Sequence, residues 1–231
     1  MRFFGFFNRK VLDKFAAALK FYAVKVLAGE KLSVSISNNN TKMGDVASVS
    51  LLPYFSCHAR CQKTCGGKCY AAKLANLRKT VRNAYARNTA MAIYSPAEFW
   101  TQVRTAAGAF RYFRFHVSGD ILNRKYFSEM VKTACLIPGT EFLAFTKKYE
   151  IVNEWIAEYG ALPANLKILF SGWDNLAPDN PHGMPETTVY EREEDFNPAW
   201  KSCGGNCFNC ACRGLGCWNA AKGDIIAFKM H

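Results

Sequence analysis

From residue 113 to the C-terminus, short apolar runs alternate with stretches of helical periodicity. Few folds accommodate that rhythm other than a sheet flanked by helices. Phe113–Val117, Phe142–Phe145, Leu166–Phe170, Thr187–Tyr190 and Asp224–Phe228 read as strands, and residues 123–136 and 149–159 read as helices between them. Strands separated by helices are joined by crossovers and pair in parallel. Upstream, Ser33–Ser37 and Val46–Leu52 read as further strands, the second ended by Pro53, with a polar turn over Asn38–Gly44. A long basic helix is expected over 71–93, carrying Lys73, Arg78, Lys79, Arg82 and Arg87. Another runs from Ser95 to Phe110, opened by Pro96 and the capping-box residue Glu98. With five or six strands in the sheet, the expected class is α/β, as a partial or six-fold parallel β/α barrel with Cys-rich metal-binding loops. An open doubly wound sheet is the alternative. Residues 1–31 read as an N-terminal amphipathic extension and residues 32–231 as a single β/α domain with a Cys-rich segment at 203–217. Val11–Ala28 is interrupted by Lys14, Lys20 and Lys25, which suits a helix packed as a cap, or lying on a membrane surface, rather than one spanning a bilayer.

The chain carries ten cysteines, and nine of them fall in two short segments. The first holds Cys57, Cys61, Cys65 and Cys69 at uniform three-residue gaps. The second holds Cys203, Cys207, Cys210, Cys212 and Cys217. Thiols this close in sequence can converge on one metal or cluster. A disulfide framework is the poorer reading, because a chain of 231 residues that is half apolar can build a core without staples. Even three-residue gaps on a strand-to-helix loop suit wrapping an iron–sulfur cubane better than a zinc knuckle, so one or two [4Fe–4S] clusters are expected, with zinc as the alternative metal. Gly204, Gly205, Gly214 and Gly216 permit the tight turns the second segment needs. The expected ligands are Cys57, Cys61, Cys65, Cys69, Cys203, Cys207, Cys210 and Cys217. The spacing leaves one shared site or two separate sites open, and leaves Cys212 and His58 without a fixed role. Cys135 stands apart on an apolar helix face and reads as a core residue.

A net charge of +12 favours a polyanionic partner, most simply nucleic acid. No stretch reads as a secretion signal or a transmembrane segment, which suits the cytoplasm, where thiols stay reduced.

In parallel β/α folds, reactive groups collect at the C-terminal ends of strands. Here those ends are Ser118-Gly119-Asp120, Thr146-Lys147-Lys148, Ser171-Gly172-Trp173-Asp174 and the first Cys segment. All four should face one end of the sheet. His116 reads as a wall or core residue of its strand.

Several of these pieces resemble the phage "gene product 88" family: Asn40–Gly44, Ser48–Pro53, Cys65-x3-Cys69-Tyr-Ala-x-Lys73, Phe115–Asp120, and Cys207-x2-Cys210 followed by Cys217-Trp218. The resemblance covers residues 32–231. A more distant similarity is to radical S-adenosylmethionine enzymes, whose three-cysteine loop follows the first barrel strand and whose second-strand turn contacts the cofactor. Cys61, Cys65 and Cys69 fall where that loop would, and Ser118, Gly119 and Asp120 where that turn would. The last gap is three residues instead of two, Tyr70 follows the last cysteine instead of preceding it, and Cys57 adds a fourth thiol. The similarity implies cofactor contacts from Ser118, Gly119, Asp120 and Ser171, catalytic roles for Asp120 and Lys147 (or Lys148), and S-adenosylmethionine as cofactor, with a nucleic acid or nucleotide modified. The competing expectation is a non-catalytic, metal-stapled basic module that binds nucleic acid through phosphate contacts and the aromatics Tyr70, Tyr85, Trp100 and Trp218.

Overall fold

The computed structural model describes residues 9–61, 65, 68–173 and 176–229. Asp174, named above with the turn after the 166–170 strand, lies outside the described residues. Eight strands form one mostly parallel sheet: β1 (Ile36–Ser37), β2 (Ala47–Val49), β3 (Tyr112–Phe115), β4 (Glu141–Thr146), β5 (Leu166–Ser171), β6 (Glu186–Tyr190), β7 (Lys201–Ser202) and β8 (Ile225–Lys229). Seven α-helices are described: α1 (Arg9–Leu27), α2 (Tyr70–Leu77), α3 (Lys79–Tyr94), α4 (Pro96–Ala107), α5 (Arg124–Leu136), α6 (Tyr149–Tyr159) and α7 (Cys207–Cys212). The spatial order is β1-β2-β3-β4-β5-β6-β8-β7. β1 is antiparallel to β2, and the other neighbours are parallel. From β1 to β6 the order follows the chain, with β8 and β7 exchanged at the far edge, and it lacks the central reversal that defines a doubly wound sheet.

Period-two alternation sorts the strand residues onto two faces. Phe113, Phe115, Phe142, Ala144, Ile168 and Phe170 pack against Phe99, Trp100 and Val103 of α4, Phe127 and Met130 of α5, and Tyr149 and Val152 of α6. Tyr112, Leu143, Leu169 and Ile226 face the other way, against Met43, Ala211, Trp218 and Ala220. The Cys-rich C-terminal segment therefore covers the face that the helices leave bare.

Several sequence expectations change here. The basic helix over 71–93 is two helices broken at Arg78, whose backbone is extended (φ −109°, ψ 107°). Arg82 donates from Nη1 to the carbonyls of Ala75 and Asn76, satisfying acceptors that the break exposes. The sheet has eight strands instead of five or six, because β7 adds two residues at one edge and β1 is antiparallel at the other. Strand β3 stops at Phe115, since His116 adopts φ 61° and turns the chain. Cys135 is exposed rather than core: α5 buries Tyr126, Phe127, Met130, Val131, Thr133 and Ala134, and position 135 rotates to solvent. Trp100 and Trp218 are buried and so are not free to stack on bases. Helix α1 lies against α3 with Phe15 fully buried beside Leu52, Ala72, Ala75 and Ala86. Among the described residues no helix is long and apolar enough to cross a membrane.

Candidate functional site: a thiol-lined cavity at the strand ends

Beyond the C-terminal ends of β2 to β5 lies a cavity of about 260 Å³. Its lining includes Cys57, Cys61, Cys65 and Cys69 from the loop after β2, Ser118, Gly119 and Asp120 from the turn after β3, Lys147 after β4, and Ser171 at the end of β5. The four strand ends named from the sequence thus meet at one place.

The turn after β3 is fixed by hydrogen bonds rather than left free to react. Ser118 donates from Oγ to the Leu51 carbonyl and accepts no solvent contact to speak of, being buried, while its N–H donates to Ser50 Oγ. Gly119 has φ 84°, and a Cβ there would stand 2.5 Å from Ser56 Oγ and 2.8 Å from Leu51 Cβ, so only glycine lets the turn approach the loop after β2. Asp120 is buried and fully engaged: Oδ1 accepts from Ile121 N (2.7 Å) and Thr146 Oγ1 (2.7 Å), and Oδ2 accepts from Lys147 N (2.9 Å). Burial pushes its carboxyl up from the ordinary range, against the hydrogen bonds from Lys147 and Thr146. Asp120 therefore straps the ends of β3 and β4 together. Lys147 donates from Nζ to Ser171 Oγ (2.7 Å) and lies 5.6 Å from the Trp173 ring centroid. Lys148 points elsewhere, donating to the Leu122 carbonyl.

In the Cys loop, a hydrogen bond with Cys57 and then burial push the Cys61 thiol up to about 12, despite an opposing bond with Cys65. Cys69 caps the start of α2, and burial raises its thiol although the Ala72 and Ala71 N–H groups favour the thiolate. His58 faces away: Nδ1 accepts from Arg60, and Nε2 lies 3.3 Å from Glu150. His116 is buried in the cavity wall, with Nε2 3.0 Å from the Tyr126 hydroxyl and Nδ1 unpartnered. Burial, then Lys148 and Arg114, lower its pKa to about 3.

The second Cys segment forms a different place. Cys203, Cys207, Cys210 and Cys217 line a smaller cavity of about 30 Å³ on the other face of the sheet from the helices. Cys203 continues the ladder after β7 by donating to the Ala227 carbonyl. Cys207 and Phe208 donate to the carbonyls of Lys42 and Met43, docking α7 on the Asn40–Gly44 turn. Gly44 has φ 61°, and a Cβ there would meet Phe208 Cβ at 2.7 Å. Gly205 N–H donates to Cys203 Sγ (3.5 Å). Cys212 is exposed and does not share this lining. Burial pushes Cys217 up to about 12 and raises Cys203 as well. Among the described residues no three His, Cys, Asp or Glu side chains already stand as a ready single-ion site.

Arg114, Phe145 and Phe228 line both cavities, so one layer of side chains separates the two thiol sets. Sequence reading passed over Arg114. The signal was present: a charged residue between two phenylalanines of a parallel strand, where both faces are covered, must face something polar.

The molecule is thus an α/β protein with thiols at two sites, one of them open to a cavity at the strand ends. The family model described as Gene product 88 matches residues 18–214, and the chain belongs to that family. The match begins inside α1, so part of the segment read as an extension lies within the family region, and it ends before Cys217 and Trp218. Comparison with curated proteins and with solved structures gave no match.

Proposed function

We propose that the chain is an iron–sulfur protein of radical S-adenosylmethionine type, built on a partial parallel β/α barrel and acting on a nucleic acid or nucleotide. The observation that carries this reading is the meeting of four thiols with the Ser118–Asp120 turn, Lys147 and Ser171 on one cavity at the strand ends. The unreversed order of β2 to β6 agrees with a partial barrel. The donor set suits a cluster: all thiol, and shielded from water at Cys61. Cys61, Cys65 and Cys69 would hold a [4Fe–4S] centre, which when bound supplies the electron for reductive cleavage of S-adenosylmethionine. The chain's own residues do the rest. Ser118 and Gly119 hold the turn against the Cys loop, Asp120 fixes the Lys147 backbone, and the Lys147 ammonium, steadied by Ser171, faces an incoming carboxylate or phosphate. Cys203, Cys207, Cys210 and Cys217 would hold an auxiliary or structural centre.

The test is anaerobic purification with metal analysis, followed by assay for deoxyadenosine under reductant. Brown protein absorbing near 400 nm and cleaving the cofactor supports the reading. Colourless protein with stoichiometric zinc and no reconstitutable iron removes it in favour of a metal-stapled, nucleic-acid-binding module, to be followed by salt-dependent binding measurements. Cys57 separates two versions of the site. An open iron needs Cys57 off the cluster, so Cys57→Ala should keep its iron while Cys61→Ala, Cys65→Ala and Cys69→Ala lose theirs. Loss of iron in Cys57→Ala would mean four thiol ligands and no cofactor chemistry.

A further inference from the structure

The charges lining the larger cavity are not balanced by its own residues. Arg114 leaves β3 on the face opposite the helices, and its guanidinium lies 4.5 Å from the Phe145 ring centroid. Its Nη1 donates to two sulfurs, Met43 Sδ at 3.5 Å and Cys207 Sγ at 3.9 Å, and its Nε is buried with no partner. Lys147, also buried, is held by a neutral hydroxyl and the face of Trp173. Among the described residues neither cation forms an ion pair. Asp120 is the one carboxylate of the described lining, and its oxygens are already committed to Ile121, Thr146 and Lys147 N–H. Sulfur acceptors and ring faces compensate a guanidinium poorly, and a shielded cation left without a counter-charge is strongly disfavoured. The Nε is closed to solvent, so an oxygen acceptor in the cavity would meet the Nη end of the guanidinium, whose planar fork suits two oxygens at once.

We propose that the cavity binds a small organic anion, with Arg114 taking its carboxylate or phosphate oxygens in a bidentate grip, Lys147 adding a second positive charge, and Phe145 and Trp173 flanking its apolar part. The cavity, about 260 Å³, has room for one compact molecule. Calorimetry reads anion binding and not iron, so a failure here is separate from a failure of the iron–sulfur reading.

Calorimetric titration of the full chain with two matched pairs tests it: adenosine 5′-monophosphate against adenosine, and benzoate against benzamide. Binding of at least one charged member, about tenfold or more tighter than its neutral partner, is expected, and the pair that responds tells phosphate from carboxylate. Arg114→Gln should weaken that binding about tenfold or more without lowering the melting temperature of the free chain, because it removes an uncompensated cation. Arg114→Lys, which keeps the charge and loses the fork, should fall between. If neither charged probe outbinds its neutral partner, the site does not exist. If Arg114→Gln leaves anion binding intact and instead destabilises the chain or strips metal from the second thiol set, Arg114 serves only to offset thiolate charge and the proposal is overturned.

Discussion

The two thiol-rich segments use the same residue type at similar spacing and end in different surroundings. Cys57 to Cys69 open onto a cavity shared with a lysine, a serine and the turn after β3. Cys203 to Cys217 sit among Tyr112, Leu143, Trp218 and Phe228, locked by backbone hydrogen bonds to the Asn40–Gly44 turn. Spacing marks thiols able to meet, and the fold decides what meets them. One set has room for another molecule and the other has little, and the proposal of a reactive first site and a supporting second one rests on that difference.

That contrast breaks most visibly on cysteine replacement. If the proposed function holds, Cys61→Ala should abolish cofactor cleavage, because the cluster that would pass the electron to the cofactor loses a ligand, while the fold melts near its usual temperature. Cys210→Ala should do the reverse. Losing the proposed structural centre there should cost several kcal/mol, seen as a lowered midpoint in denaturant, with any iron at the first site retained until the chain unfolds. Equal loss of both properties in both variants would erase the distinction.

Glycine replacements sharpen it at smaller scale. Gly119→Ala and Gly44→Ala each force a side chain into a left-handed backbone and into contact with a neighbour, costing roughly 1–3 kcal/mol from strain alone. Gly119→Ala should displace the turn from Ser56 and lower iron at the first site. Gly44→Ala should push against Phe208 and loosen the second. Metal analysis of the two variants separates these outcomes.

His116 tests the cavity wall through pH. Its folded pKa, about 3, lies below the ordinary histidine value of 6.5. Between those values the unfolded chain binds the proton that the folded chain refuses. Its contribution is therefore fully present above pH 6.5 and is lost as pH falls towards 3. His116→Asn, a residue that tolerates φ 61°, should flatten this acid limb by up to roughly a few kcal/mol. An unchanged limb would mean the histidine is not shielded. The smallest effect is expected for Cys212→Ser, within about 0.5 kcal/mol and with no metal lost, since this thiol is exposed and outside the second lining.

Much of the sheet was legible because parallel strands bury both faces and read as apolar runs. Phe142–Phe145 and Leu166–Phe170 were found within a residue or two of β4 and β5. β7 escaped because its two residues, Lys201 and Ser202, are exposed and carry no pattern. The break at Arg78 escaped because arginine is a good helix former, and the stop comes from Arg82 reaching back over carbonyls six and seven residues earlier. The residues at the strand ends were legible from position alone. Their division of labour was not: nothing in Ser118-Gly119-Asp120 says that the carboxylate is consumed by Thr146 and Lys147, a contact made across 26 and 27 residues. Arg114 was legible as a charge between two core phenylalanines, but not its partners, Met43 and Cys207, which lie 71 and 93 residues away.

The most direct test of the central claim, that the first thiol set is the reactive centre, is iron content and 400 nm absorption of anaerobically purified Cys61→Ala beside the parent chain and Cys210→Ala. The parent should carry about four irons for each [4Fe–4S] centre and cleave S-adenosylmethionine under reductant. Cys61→Ala should lose the first centre's iron and all cleavage, and Cys210→Ala should keep both. Full cleavage by Cys61→Ala, or a parent that binds only zinc, would contradict the account.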